Sequence, residues 1–126
     1  MTTFLLLRHA LSTANENGVL AGRMEGIDLS GDGRRQSAKL VSVLSGFKID
    51  RIISSPISRC IETISPTAEL LRKRININES FQEMDYGTWS GRKLSDLRKE
   101  KSWKQIQKSP GTFTFPGVKV FSKRIA

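Results

Sequence analysis

The chain has 126 residues, a formal net charge of +9 and a sequence pI near 10.2. This length fits one domain with one core, and a content of 37% hydrophobic and 26% charged residues excludes a disordered chain. The single cysteine, Cys60, excludes an intrachain disulfide, and with only one histidine present there is no set of soft ligands for a structural zinc site.

The N-terminus and the hydropathy pattern give the expected location. The apolar run at residues 4–7 meets Arg8 too early to form the apolar core of a signal peptide. No segment reaches the roughly 20 apolar residues of a membrane-spanning helix. We therefore expect a cytoplasmic protein with no membrane partner. The positive field attracts phosphates, nucleic acids or anionic lipid head groups, and charge alone does not choose among them.

The predicted elements begin with a strand over residues 2–7, whose continuous apolar run is typical of a strand buried on both faces of a parallel sheet. A helix follows over residues 31–45, with Ser30 as its N-cap and Gly46 as its stop signal. A second strand is predicted over residues 51–53. The Ser54-Ser55-Pro56 sequence after it is typical of a helix cap with proline at the first helical position.

The helix after this cap has apolar residues at helical spacing, and its internal Pro66 predicts a kink or a split. The residues expected to be buried are Ile61, Ile64, Ala68 and Leu71. A weak third strand is predicted over residues 75–77, a loop over 81–91 and a basic helix over 94–108. Strands that alternate with helices predict an α/β fold with a parallel sheet covered on both faces.

Polar residues follow two of the predicted strands. Arg8-His9 comes directly after the first strand, and Ser54-Ser55 comes after the second. Ligands of parallel α/β sheets bind beyond the carboxyl ends of the strands. The sequence therefore predicts a site at this edge, with the only histidine of the chain in it.

These residues suit phosphoryl transfer. A neutral imidazole nitrogen of His9 can attack phosphorus, and the phosphohistidine formed is easily hydrolysed. Such transfer depends on positioning and on cations, and Arg8 and Arg59 can each present a guanidinium fork to phosphate oxygens. Glu83, after the third strand, can protonate the leaving oxygen.

Three groups of residues together resemble the histidine phosphatase superfamily, also called the phosphoglycerate mutase-like family. The groups are Arg8-His9 with Ser12 and Asn15; Ser54-Ser55-Pro56 with Arg59, Cys60 and Thr63; and Glu83 with Tyr86-Gly87, Trp89 and Gly91. Three motifs in the right order are far more specific than any one of them. The resemblance covers about residues 1–117 and implies a three-layer, parallel-sheet phosphoglycerate mutase-like fold.

The resemblance also implies roles for individual residues. It makes His9 the phosphorylated nucleophile, Glu83 the proton donor, Arg8 and Arg59 phosphate ligands, and Ser12, Asn15 and Arg23 substrate-binding residues. The implied activity is hydrolysis of small phosphate monoesters through a phosphohistidine, with no metal and no organic cofactor. We expect one domain over residues 1–126.

The sequence departs from the family pattern in three places. Ala10 replaces the usual glycine after the histidine, and Ala14 replaces the tryptophan of the mutases, which favours the phosphatase branch. The second catalytic histidine of the family, in a Ser-His-Gly-like motif, is not found. The pattern is expected to end near residue 118, with 118–126 as an off-pattern tail. This predicts a fold incomplete at its C-terminal side, impaired activity, and an oligomer or partner over an exposed sheet edge.

Other interpretations stay open. Arg59 could pair with Glu62 on one helix face, Glu83 could be a solvated carboxylate, and Cys60 is expected to be a packing residue. For the whole chain, the alternatives are mutase-type phosphoryl transfer and a catalytically silent module that binds an anion or a partner. Nucleic-acid binding has little support, because the lysines and arginines are dispersed along the sequence and no nucleic-acid motif accompanies them.

Overall fold

A computed structural model describes residues 1–118 of the chain, so most of the predicted tail lies outside the described residues. The helices are α1 (Thr13–Asn17), α2 (Gly31–Leu44), α3 (Ser58–Leu71), α4 (Leu94–Leu97) and α5 (Ser102–Lys108), and the strands are β1 (Ile52–Ser54) and β2 (Ile75–Ile77). Short 3-10 turns span Glu79–Phe81, Gly87–Trp89 and Pro110–Thr112.

The two strands form a parallel pair. Ile52 lies opposite Ile75 and Ser54 opposite Ile77, and α3 is the crossover between the strands. Parallel strands need such a crossover, and a helix of this length supplies it. The predicted α/β class with a parallel sheet is therefore confirmed. It places the residues that follow β1, including Arg59, beyond the carboxyl end of the sheet.

Helix α2 is confirmed almost to the residue. The Ser30 hydroxyl accepts a hydrogen bond of 3.0 Å from the Gly33 N–H, which is the predicted N-cap. Helix α3 starts later than predicted. It begins at Ser58, because Ile57 is its N-cap and the Ser55 hydroxyl accepts from the Ile57 N–H at 3.3 Å instead of capping a helix at Pro56.

The face of α3 that is fully buried is not the predicted apolar stripe. Ile61 and Ile64 are only half-buried, whereas Arg59, Thr63 and Thr67 are buried together with the predicted Ala68. A polar side chain is buried at low cost only when it is hydrogen-bonded. The polar residues on the buried face of α3 therefore indicate a polar site next to this helix.

Pro66 neither splits nor ends α3, which runs through it without a break in assignment. Proline has no N–H, so the carbonyl oxygen of Glu62, one turn earlier, loses its helical donor. The Ser37 hydroxyl of α2 replaces that donor, at 3.1 Å from the Glu62 oxygen and 2.8 Å from the Thr63 oxygen. The prediction of a split was wrong because a neighbouring helix satisfies the orphaned carbonyl.

The predicted strand over residues 2–7 is not formed. These residues have no regular secondary structure, and Phe4 and Leu6 are 78% and 91% exposed. A strand is held by a hydrogen-bonded neighbour, and within residues 1–118 the two strands pair only with each other. An apolar run alone therefore does not give a strand here.

The predicted basic helix over residues 94–108 is two helices, α4 and α5, separated by residues 98–101. Leu97 is fully buried, and the same C-terminal part of the chain contributes to an aromatic cluster. The ring centroids of Trp89 and Phe115 lie 5.3 Å apart and those of Phe113 and Phe115 lie 4.9 Å apart. Trp89 also stacks on Trp103 at 6.4 Å. Tyr86 joins this cluster through Phe115, with the two ring centroids 5.1 Å apart.

Candidate active site

The central feature of the site is the buried guanidinium of Arg59, a residue that is only 2% exposed. Its Nη2 donates a hydrogen bond of 2.8 Å to the carbonyl oxygen of Gly22. Its Nη1 is buried and has no hydrogen-bond partner within residues 1–118. A buried, incompletely paired charge is costly, so this group has the properties of one that binds an anion.

Thr63 connects Arg59 to the segment that carries His9. Its hydroxyl donates to the carbonyl oxygen of Arg59 at 2.7 Å and accepts from the backbone N–H of Ala10 at 3.0 Å. The hydroxyl is thus used in both directions. It fixes the residue after His9 against the first turns of α3.

The half-buried His9 has a defined hydrogen-bond partner. Its Nδ1 lies 2.7 Å from the carbonyl oxygen of Ala10. A carbonyl oxygen only accepts, so this contact assigns the proton to Nδ1 and leaves the lone pair on Nε2. Nε2 is therefore the nitrogen of His9 that is free to act as a nucleophile. Arg8, in contrast, is exposed, and within residues 1–118 no hydrogen bond or ion pair attaches its side chain to this region.

Arg23 and Glu83 meet through the backbone, since Arg23 Nε donates to the Glu83 carbonyl oxygen at 2.6 Å. The Glu83 carboxylate accepts from the N–H of Met84 at 2.8 Å. Burial raises the pKa of Tyr86, and the charge of Glu83 and a hydrogen bond to it raise that pKa further, while Arg59 lowers it. Arg59, Glu83 and Tyr86 are therefore electrostatic neighbours.

The lack of a side chain at Gly22 allows the Tyr86 ring to lie close to the Gly22 backbone. Its φ is +54°, and a Cβ on it would lie 2.7 Å from the Tyr86 ring. Glycine adopts such a φ without strain, and the lack of a Cβ leaves room for the Tyr86 ring beside the residue whose carbonyl oxygen accepts from Arg59. Sequence reasoning missed the Gly22 carbonyl as a partner of Arg59, because a backbone acceptor leaves no side-chain signal.

Ser12 and Asn15 form a capping box at the start of α1. The Ser12 hydroxyl accepts from the Asn15 N–H at 3.1 Å, and Asn15 Oδ1 accepts from the Ser12 N–H at 3.0 Å. These contacts orient the turn that follows His9. Within residues 1–118 no side-chain hydrogen bond joins Ser12 or Asn15 to Arg59, and their substrate-binding role stays a prediction.

Cys60 follows Arg59 in α3, and opposing electrostatic effects act on its thiol. Burial raises the pKa of the Cys60 thiol, whereas the charge of Arg59 and a hydrogen bond with Ser55 lower it, and the charge of Glu83 raises it. The net effect favours the thiol over the thiolate nucleophile. In the described part of the chain, His, Cys, Asp and Glu form no group of three or more that could hold a metal ion.

Comparisons with known proteins identify the family of this chain. The family described as histidine phosphatase superfamily (branch 1) matches residues 4–124, a range that includes part of the 118–126 segment. A putative phosphoserine phosphatase 2 of Hydrogenobacter thermophilus is 33% identical over 92 residues, which cover 73% of this chain and 45% of that protein. A 2,3-bisphosphoglycerate-dependent phosphoglycerate mutase of Thermoplasma acidophilum is 29% identical over 97 residues, or 77% and 48% of the two chains. The chain spans about half the length of these curated relatives.

Solved structures show the same fold. A phosphoserine phosphatase of Entamoeba histolytica, in complex with 3-phosphoglyceric acid, has a TM-score of 0.73 at 25% identity and covers 85% of this chain and 52% of its own. The α-ribazole phosphatase of Shigella flexneri has a TM-score of 0.77 at 21% identity, with 88% and 55% covered. No helix within residues 1–118 is long and apolar enough to cross a bilayer. With a family match over most of its length, the chain belongs to the histidine phosphatase superfamily (branch 1).

Proposed function

We propose that the chain hydrolyses small phosphate monoesters through a phosphohistidine on His9. The observation that carries this proposal is the buried Arg59 guanidinium, whose Nη1 has no partner within residues 1–118. A phosphate oxygen is an acceptor that satisfies both its charge and its geometry. Family membership supports the same chemistry, and two of the relatives are named as phosphoserine phosphatases.

The proposed reaction has two steps. His9 Nε2 attacks phosphorus and the bond to the ester oxygen breaks, while Glu83 gives that oxygen a proton. Water then attacks the phosphohistidine, Glu83 takes a proton from it, and inorganic phosphate and free His9 result. Arg59 stabilises the charge on the non-bridging oxygens in both steps, which is the main task in phosphoryl transfer. We keep Arg8 as a further phosphate ligand, and Ser12, Asn15 and Arg23 as substrate-binding residues.

A second candidate is an anion-binding module that does not turn over. It is favoured by one observation: His9 is the only histidine in the 126 residues, so the second histidine implied by the family has no counterpart among them. In this case the Arg59 pocket binds phosphate but hydrolysis is slow. Both candidates predict binding of phosphate or vanadate, and they differ in turnover.

The test combines turnover with binding. We expect the protein to hydrolyse an aryl phosphate and to form an acid-labile phosphoprotein, and we expect His9→Ala to abolish both. Arg59→Gln should lower the rate by about 10²-fold or more. The matched control is Arg98→Gln, which removes an exposed guanidinium from the end of α4.

Each outcome supports one candidate function or rejects at least one of them. An unchanged rate in His9→Ala rejects the phosphohistidine. Absent turnover, with a vanadate-dependent rise in Tm that Arg59→Gln removes and Arg98→Gln keeps, assigns the binding module. No effect of vanadate or phosphate on the Tm of the wild-type protein rejects both.

A further inference from the structure

A cationic surface lies at the end of the sheet opposite Arg59. We call it the basic pole; it consists of Lys48, Arg51, Arg72, Lys73 and Arg74, all of them exposed. Arg51 and Arg74 precede the paired residues Ile52 and Ile75, so the parallel register makes these two arginines neighbours at the starts of the strands. Ser54 and the turn to Arg59 lie at the other end of β1.

Two helix ends bring the other cations to this pole. Helix α3 ends at Leu71, and Arg72 follows it in the left-handed conformation, with φ of +53°. The Lys73 N–H donates to the Ala68 carbonyl oxygen at 3.0 Å and holds this turn closed. Only residues 72–74 separate α3 from β2, so the end of α3 lies beside the strand starts.

The end of α2 is held in a similar way. The Phe47 N–H donates to the Leu44 carbonyl oxygen at 3.1 Å, and the chain reaches β1 within a few residues. Lys48 therefore lies between the end of α2 and the start of β1. The dispersed cations of the sequence are gathered here by the topology.

The charge of the basic pole is not neutralised internally. Only two carboxylates, Asp50 and Glu69, lie beside the five cations in sequence. Within residues 1–118 no ion pair involves any of the five. Two helix C-termini attract cations to this end, which accounts for part of the pattern. That attraction does not account for the apolar side chains exposed beside them.

Three large apolar side chains are exposed at the same pole. Val43 and Leu70, in the last turns of α2 and α3, are each 60% exposed, and Phe47 is 50% exposed. Surfaces that combine exposed apolar residues with clustered Lys and Arg fit the boundary between anionic lipid head groups and acyl chains. A nucleic-acid backbone offers no apolar layer for two aliphatic side chains.

We propose that the basic pole docks the protein on an anionic membrane surface. The cations contact lipid phosphates and carboxylates, and Phe47 and Leu70 insert below them. The expectation of no membrane partner depended on the lack of a spanning segment, and surface docking needs none. The Arg59 site then faces away from the bilayer, toward solvent. This proposal is independent of turnover at His9.

The test measures co-sedimentation of the full chain with vesicles of phosphatidylcholine alone or with about one third phosphatidylserine. We expect binding to the mixed vesicles only. The triple variant Arg72→Gln, Lys73→Gln, Arg74→Gln should weaken the partition constant by about 10²-fold, since each of the three cations near the surface contributes about fivefold. The charge-matched control is Lys101→Gln, Lys104→Gln, Lys108→Gln, which removes three exposed lysines around α5 and should change binding by less than about twofold.

The apolar contact has its own pair of variants. Phe47→Ser should weaken binding, whereas Phe81→Ser, at a residue that is 58% exposed and lies after the opposite end of β2, should not. A thermal melt of each variant establishes that it is folded, and the single variant Arg74→Gln replaces the triple variant if the latter unfolds. His9→Ala should bind the vesicles as the wild-type protein does.

Several results would overturn the proposal. Equal losses in the two triple variants would show that net charge alone drives binding. If Phe47→Ser bound the vesicles as strongly as the wild-type protein does, Phe47 would not contact the membrane. Equal binding to both kinds of vesicle would show that anionic lipid is not required. Binding of the wild-type protein to duplex DNA or to an acidic protein, with no binding to vesicles, would assign the basic pole to that polyanion instead.

Discussion

The backbone N–H of Ala10 donates a hydrogen bond of 3.0 Å to Thr63 Oγ1, a residue 53 positions later in the chain. The same hydroxyl donates to the carbonyl oxygen of Arg59 at 2.7 Å. One buried side chain therefore joins the candidate nucleophile segment to the helix that carries the candidate phosphate ligand. Because the two elements are distant in sequence, this contact is what turns two motifs into one site.

Thr63→Val tests this connection, since valine keeps the shape and removes the hydroxyl. The Ala10 N–H is then left without its partner in a partly buried position. We expect the free energy of unfolding to fall by about 1–3 kcal/mol. Urea denaturation measures this change, and vanadate binding should weaken in the same variant because the His9 segment loses its attachment.

The matched substitution one turn later, at Thr67, should change the free energy of unfolding in the opposite direction. Thr67 is fully buried, and its hydroxyl has no hydrogen-bond partner within residues 1–118. Thr67→Val removes a buried hydroxyl that makes no hydrogen bond to offset its desolvation, so we expect the free energy of unfolding to rise by about 1 kcal/mol. A loss as large as that of Thr63→Val would show that β-branched apolar residues are simply not tolerated on this face.

Elements with local signals were the ones that could be predicted from the sequence. Helix α2 has a serine cap and an ordered start, and the strand over 75–77 is found as predicted. The prediction of a strand over residues 2–7 was wrong, because strand pairing depends on distant parts of the chain and an apolar run does not encode it. The continuity of α3 through Pro66 also depends on a partner from α2, which the local sequence does not show.

The candidate site was predictable to a similar extent. Arg59 was identified by its place after a strand, and the structure gives it a buried guanidinium beside Gly22. Ser12 and Asn15 were assigned to substrate, yet their Ser-x-x-Asn spacing is also the signal of a capping box, and that is the contact they make. Spacing alone does not distinguish a polar residue that binds a ligand from one that caps a helix.

The start of α2 provides a steric test. A Cβ on Gly33 would lie 1.8 Å from the Leu11 carbonyl oxygen, so the backbone there has no room for a side chain. We expect Gly33→Ala to lower the free energy of unfolding by about 3 kcal/mol, in the range of overpacked sites. Gly31→Ala is the control: its nearest neighbour is an Arg35 side-chain atom at 3.9 Å, and alanine favours the helix. Chemical denaturation should therefore show a large loss of stability for Gly33→Ala and no loss for Gly31→Ala.

Glu62 predicts a pH dependence of stability. Burial is the main cause that raises the pKa of Glu62, a hydrogen bond to Asp28 and the charge of Asp28 raise it further, and the Leu29 N–H and Arg34 lower it. The folded protein therefore holds this proton more tightly than the unfolded chain. The resulting stability is present at low pH and is lost as the pH rises through the raised pKa. Glu62→Gln should equal the wild type in Tm below about pH 4 and exceed it near pH 7.

The control for Glu62 is Glu25→Gln, which changes an exposed carboxylate in the loop before α2. It should shift Tm by a similar small amount at all pH values. A Glu62→Gln protein that is less stable than the wild type near neutral pH would contradict the assignment, because it would mean that the ionised Glu62 stabilises the fold.

The contact between Ser37 and the carbonyl of Glu62 predicts a coupled pair of substitutions. Ser37→Ala leaves that partly buried carbonyl without a donor as long as residue 66 is proline, and we expect it to cost about 1–2 kcal/mol. Pro66→Ala restores an N–H at the helical position, so the same serine substitution should cost less in that background. The difference, a coupling of about 0.5–1.5 kcal/mol, is obtained from a double-mutant cycle. Ser42→Ala, on the exposed side of α2, should show no coupling to Pro66. If the effects of Ser37→Ala and Pro66→Ala on the free energy of unfolding were simply additive, the serine would not be what allows α3 to continue through its proline.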